Sequence, residues 1–131
     1  MSDPLFLTVE QIETLHKLAL EQHGGQHGVR DRAALESAAA QPRNVFYYSG
    51  GDHFEVAAAY AFHLAEAQSF ADGNKRVGMA AALVFLKLNG VTIDRATDKF
   101  HAAMIGIASH QISRSDLASL FRGLAPPASL L

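Results

Sequence analysis

Nine consecutive residues in the middle of the chain, Gln68-Ser69-Phe70-Ala71-Asp72-Gly73-Asn74-Lys75-Arg76, gather groups that could do chemistry. Gly73 lets a ligand approach the backbone closely. Lys75 and Arg76 add positive charge, and the planar Arg76 fork suits phosphate oxygens. Asn74 supplies neutral amide donors. Asp72 is a hard oxygen ligand beside them, as Mg²⁺ bridging a phosphate requires. Apolar segments flank the string, so it reads as a polar loop opening a buried helix. The free N–H groups and positive dipole end of that helix face whatever lies above. Together these are the parts of a phosphate site at a helix N-terminus. The plain structural alternative makes Asp72 an N-cap, with Lys75 and Arg76 on a solvated first turn. On composition alone that alternative is favoured, because capped helices with a basic turn are common.

The elements that must position this loop are helical. Thr8-Val9-Glu10-Gln11 is a capping box, with Leu7 and Ile12 at the two positions of a hydrophobic staple. Val9, Ile12, Leu15, Leu18 and Ala19 form one stripe, ended by Gly24-Gly25. Asp31 caps a shorter helix carrying Leu35, Ala38 and Ala39, expected to stop before Pro42. Residues 43–53 are aromatic and β-prone and end in Ser-Gly-Gly-Asp, which predicts an exposed hairpin or flap. Residues 54–67 and 77–86 are apolar on nearly every side, so the helices flanking the loop belong at the centre of the domain. Asn89-Gly90 reads as a C-cap. Asp94 caps a helix with Phe100, Met104 and Ile107 on one face, and Ser113-Arg114-Ser115-Asp116 opens a last helix with Leu117, Leu120 and Phe121. The expectation is an all-α fold of about six helices with a small flap. It is one domain over 1–131, with a core near 5–122 and a loose tail at 124–131.

Composition bounds the partners. The chain has 131 residues, enough for one compact domain. It is 49% hydrophobic and 18% charged, which is globular rather than disordered. A net charge of −2 argues against direct binding of duplex nucleic acid, whose phosphates need a basic face. With no cysteine there is neither a disulfide nor a thiolate metal site. No signal peptide is visible, and the longest uncharged apolar stretch is about half a bilayer span, so no membrane association and a cytoplasmic location are expected.

The central string resembles the Fic superfamily signature, His-x-Phe-x-Asp/Glu-Gly/Ala-Asn-Lys/Gly-Arg, at every specified position except the first. The likeness extends outward. His16, Gly24-Gly25, Gly28, Arg30-Asp31, Leu35-Glu36-Ser37-Ala38 ahead of Pro42, and Phe85-Leu86-Lys87-Leu88-Asn89-Gly90 resemble the death-on-curing toxins of that superfamily. This resemblance implies a toxin of a toxin–antitoxin system that uses ATP and Mg²⁺ to phosphorylate elongation factor Tu and stop translation. An antitoxin protein would hold it silent. Carried over, Asp72 binds Mg²⁺, and Gly73, Asn74, Lys75 and Arg76 cradle the phosphates. Phe70 anchors the loop, and a flap at Phe46, Tyr47, Tyr48 and Ser49 aligns the target by main-chain pairing. Tyr47 and Tyr48 serve equally well as packing groups on their own domain. Other members of the superfamily transfer a nucleotidyl group instead, although Lys75 stands where many of those carry glycine.

Gln68 occupies the position of the family's histidine, the base that accepts the proton of the attacking hydroxyl. An amide cannot accept a proton near neutral pH. Losing a general base costs roughly 10²–10⁴-fold in rate. Gln68 can still orient a hydroxyl, so binding survives this change. Either the chain is an attenuated version of a harmful enzyme, one codon base from histidine, or it is a natural variant that binds without strong catalysis and regulates. No other histidine replaces the base. His63 lies about 7.5 Å of helical rise before Gln68 and points elsewhere, as a buried, hydrogen-bonded residue. His16 reads as a structural contact. His23, His27, His53, His101 and His110 lack metal-ligand spacing.

Overall fold

Thr8 begins the first helix in the way its capping box predicts. Its hydroxyl accepts from the Gln11 N–H, and the Gln11 side chain accepts from the Thr8 N–H. In the computed structural model, which describes residues 3–93, 98–109 and 111–126, six helices follow one another. They are α1 Val9–His23, α2 Arg32–Ser49, α3 His53–Ala67, α4 Asn74–Leu88, α5 Asp98–Ala108 and α6 Arg114–Leu124. Leu7 and Ile12 of the staple are both buried. Gly24 ends α1, Asn89 ends α4, and Ser113 with Asp116 forms the capping box of α6. On α1 the buried residues are Ile12, His16 and Leu20, whereas Leu18 of the expected stripe is half exposed.

The two apolar helices lie at the centre, as their all-round hydrophobicity demands. α3 packs on α2, α4 and α6, and α4 also packs on α1 and α5. Ala58, Ala81 and Phe85 are fully buried, and one continuous core joins residues from all six helices. Burying a side chain such as Phe85 contributes about 1.5–3 kcal/mol. Gly78 sets how closely α3 and α4 approach. A Cβ there would lie 2.7 Å from the Ala61 carbonyl oxygen. Tyr60 of α3 fastens the N-terminal segment, its hydroxyl oxygen accepting the Leu7 N–H at 2.8 Å. Burial pushes the Tyr60 hydroxyl above its ordinary pKa, so it stays protonated.

Two expectations are overturned between Pro42 and Leu124. α2 does not stop before Pro42 but continues through it to Ser49, so residues 43–49 are neither a hairpin nor a flap. An interior proline removes one helical hydrogen bond and costs about 3 kcal/mol. Packing offsets that cost. Pro42 and Val45 are buried, and Arg43, Phe46 and Tyr47 together hold Phe6. These three fall at i, i+3 and i+4, a helical spacing hidden inside a β-prone composition. Gly50, left-handed at φ 66°, ends α2, and Asp52 caps α3, so Ser-Gly-Gly-Asp joins two helices rather than two strands. Leu124, assigned to the loose tail, closes α6 and is buried, because it continues the face of Leu117 and Phe121. Asp94, His110, residues 127–131 and the side chains of Met104 and Ile107 lie outside the described residues.

α6 is tied to α3 at two points. Arg122 pairs with Asp52 at 2.7 Å, a bond that holds the Asp52 carboxyl below its usual range despite partial burial. Arg114 donates to His63 Nε2 at 3.0 Å, which requires a neutral imidazole with its proton on Nδ1. Burial and the Arg114 charge push the His63 pKa below the usual 6.5, with Glu66 opposing. Because this pKa is lowered in the fold, the unfolded chain takes up the proton first. Stability is therefore full above about pH 6.5 and declines as pH falls below it. Denaturation midpoints measured from pH 7.5 to 5 should show that decline, and His63→Gln should flatten it. Gly78→Ala should lower stability by about 1–2 kcal/mol. Because the Ala61 oxygen belongs to helix backbone and cannot swing aside, the clash falls in the upper part of the usual range, about 2–3 kcal/mol, and outweighs the roughly 1 kcal/mol gain in helix propensity. A midpoint for Gly78→Ala equal to the parent's would show that the helices are not in close contact there.

Candidate active site

The loop from Gln68 to Gly73 must turn the chain from the end of α3 to the start of α4. It does so through two left-handed residues. Gln68 has φ 53° and is the sole non-glycine with positive φ among the described residues; Gly73 has φ 75°. Such a conformation costs a residue with a side chain about 1–3 kcal/mol and persists only where its surroundings enforce it. The enforcing contacts come from residues 26–31. Arg30 donates from Nη2 to the Gln68 carbonyl, while the Arg30 and Asp31 N–H groups both reach the Ser69 carbonyl at 2.7 and 3.0 Å. Ala71 N–H donates to the Gly28 carbonyl, and Val29 forms an isolated antiparallel bridge with Phe70.

Inside the loop, Phe70 is buried to 1% exposure and anchors it in the core, as expected. Asn74 departs from its expected place. Its side chain accepts from the Phe70 N–H at 3.0 Å and donates to the Phe70 carbonyl at 3.1 Å. Both ends of the buried amide thus engage the Phe70 main chain, so Asn74 staples the loop, with one Nδ2 hydrogen left over. Asp72 is not the N-cap of α4. The cap is Gly73, without any side-chain hydrogen bond, so the first N–H groups of α4 have no side-chain acceptor among the described residues. Asp72 is exposed, with Oδ1 accepting from the Gly73 N–H at 2.8 Å and Oδ2 facing the Gln26 N–H at 3.4 Å. A Cβ on Gly25 would meet Oδ2 at 2.9 Å, so glycine leaves the carboxylate its room. Arg76 is exposed and Lys75 half-buried on the first turn of α4, and neither forms an ion pair among the described residues.

Asp72, Gly73, Lys75 and Arg76 are thus brought together at one helix start, with Gln68 at the other end of the same loop. A single carboxylate suits Mg²⁺ that arrives with phosphate oxygens and water, and it would not hold a metal alone. No group of three metal-ligating side chains occurs among the described residues. Gln68 turns its amide back, donating from Nε2 to the Ala65 carbonyl at 2.9 Å and closing the end of α3. Ser69 Oγ, fully buried, has no hydrogen-bond partner among the described residues.

Phe46, Tyr47, Tyr48 and Ser49 are not brought to this site. Asp31, at the start of α2, touches the motif loop, and these residues sit roughly 22–27 Å further along that helix. Their N–H groups lie inside a helix, so the main-chain pairing expected of them is not on offer. Phe46 and Tyr47 pack on Phe6, Tyr47 also donates to Asp3 at 2.8 Å, and Tyr48 is exposed. Residues 25–31 and His16, whose Nε2 lies 2.7 Å from the Asp72 carbonyl, are the site's supports. The cluster of glycines at 24, 25 and 28 between two helices was the local signal for the first group.

Comparison with known proteins agrees with this geometry. Residues 6–86 match the Fic/DOC family. The chain is 31% identical over 119 residues to the protein kinase Doc of Escherichia phage P1, covering 90% of this chain and 94% of that protein. It is 33% identical over 129 residues to the toxin Doc of Mycolicibacterium smegmatis, covering 94% and 95% respectively. With residues 6–86 matched by the family and two relatives matched along nearly their whole length, the chain belongs to the Fic/Doc family.

Proposed function

We propose that the chain is the toxin of a toxin–antitoxin pair and an ATP-dependent protein kinase acting on elongation factor Tu, with its transfer step impaired at Gln68. The observation that carries this reading is the meeting of Asp72, Gly73, Lys75 and Arg76 at the uncapped start of α4, in a chain related to a kinase and a toxin. Asp72 would hold Mg²⁺, which when bound would supply charge neutralisation at the phosphate oxygens. Arg76 grips those oxygens in bidentate fashion and Lys75 adds a point charge. Gly73 lets the phosphates approach the N–H groups of the first turn. Asn74 acts at one remove, by holding the loop in shape.

At position 68 the amide can orient the target hydroxyl but cannot take its proton, so binding outlasts catalysis. The antitoxin partner has a suitable seat nearby. An apolar groove of about 540 Å³ runs between α1, α4 and α5, with Leu18 and Ile105 exposed beside it and Arg76 at its edge. An amphipathic segment fits such a groove with its apolar face inward. No helix among the described residues is long and apolar enough to cross a membrane.

Gln68→His tests the reading through one side chain. Glutamine and histidine are similar in size, so the loop should keep its shape and gain only a proton acceptor. Transfer to a bacterial elongation factor Tu should rise roughly 10²–10⁴-fold, about 3–5 kcal/mol of barrier. The measurement compares γ-labelled phosphate with α-labelled nucleotide incorporated into the factor. Label from the α position alone would make the chain a nucleotidyl transferase. No label from either variant would leave a silent nucleotide- or antitoxin-binding regulator. Equal transfer by both would place the base elsewhere.

A further inference from the structure

His16 lies midway along α1, only 4% exposed, on a face otherwise filled by Ile12 and Leu20. Two contacts fix its ring. The imidazole stacks on Phe70, centroids 3.9 Å apart and planes 13° from parallel. Its Nε2 lies 2.7 Å from the Asp72 carbonyl oxygen. A carbonyl only accepts, so Nε2 carries a proton and donates. The same nitrogen would stand 3.6 Å from a Cβ on Gly73, so the ring fills the space behind the left-handed turn.

Peptide planarity carries this contact to the site. The described residues contain no cis peptide bond, so the Asp72 carbonyl and the Gly73 N–H point in opposite directions from one rigid plane. Pinning the oxygen toward α1 therefore aims the Gly73 N–H away from α1. That N–H is what holds Asp72 Oδ1 at 2.8 Å. One donated hydrogen bond from α1 thus orients both the carboxylate of Asp72 and the backbone entering α4.

We infer that His16 is a positioning residue for phosphate and metal binding at Asp72 and Gly73, acting through the plane of the 72–73 peptide. This rests on the reading of the motif loop as a nucleotide-phosphate site. Two substitutions separate its parts. His16→Phe keeps a flat ring against Phe70 but loses the donor, whereas His16→Gln keeps a donor at the reach of Nε2.

The experiment is calorimetric titration of each chain with MgATP, with Arg76→Ala as the control for the site itself. His16→Phe should weaken binding roughly fivefold to tenfold, the worth of one hydrogen bond, and His16→Gln should recover most of it. In parallel, ¹⁵N-histidine spectra of the parent should show a slowly exchanging His16 Nε2–H that shifts saturably with MgATP. A bond that only supports the fold would not shift in this way. If Arg76→Ala weakens binding while His16→Phe binds like the parent, or the His16 resonance stays still at saturation, His16 is purely structural and the inference falls. If the parent binds no better than Arg76→Ala, the phosphate reading falls, and this inference with it.

Discussion

α3 and α4 are pressed together until Gly78 meets the backbone of Ala61, and a loop of a few residues must still carry the chain from one to the other. Close antiparallel packing leaves no room for a gradual return. The chain therefore turns through left-handed residues at both ends of the loop, one of them a glutamine that does not favour that conformation. The consequence is chemical as well as geometric. A short turn with Gly73 at the start of α4 leaves the first N–H groups of a buried helix without a side-chain cap, and the basic pair follows at once. The central packing thus creates the electropositive end that the site uses.

The loop does not hold this shape by itself. Its carbonyls at 68, 69 and 72 are each taken by a donor from outside: the Arg30 side chain, the Arg30 and Asp31 main chain, and His16. The Phe70–Asn74 staple and the short bond from the Gly73 N–H to Asp72 Oδ1 are internal. Arg30 and Asp31 also sit at the start of α2, where the Asp31 carboxylate caps Ala34. The helix start that packs α2 on the core therefore also clamps the motif. Destabilising the start of α2 would be felt in the loop before it was felt in α4.

How far the sequence made this legible depends on the range of each interaction. The capping boxes at Thr8 and Ser113 involve residues three apart, and both were readable. So were the two buried helices, because their apolar character needs no partner to declare itself. The helix through Pro42 was not. Its justification is Phe6, distant in the chain, resting against Arg43, Phe46 and Tyr47, and local propensity pointed the other way. In the site, the residue types at 72, 73, 75 and 76 were legible, but the use of Asn74 was not. An amide can serve a ligand or a backbone equally well, and only burial against Phe70 decides. His16 was readable as a structural contact, yet its partner is 56 residues away.

Gln68 shows why the shape of this site and its chemistry separate. In the left-handed conformation the glutamine amide reaches back to the Ala65 carbonyl, an otherwise open acceptor at the end of α3. That bond contributes about 0.5–1.5 kcal/mol, comparable to the cost of the conformation itself. Arg30 meanwhile holds the residue's own carbonyl, and this contact does not depend on which side chain stands there. The main-chain path at 68 is therefore maintained by Arg30 and by capping, not by any need for a base. Placing a ring with a titratable nitrogen at 68 would give up the cap and gain a proton acceptor, leaving Asp72, Gly73 and Arg76 where they are. On the proposed reading, the binding half of the site belongs to α4 and its clamps, and the proton-transfer half to one side chain at the end of α3.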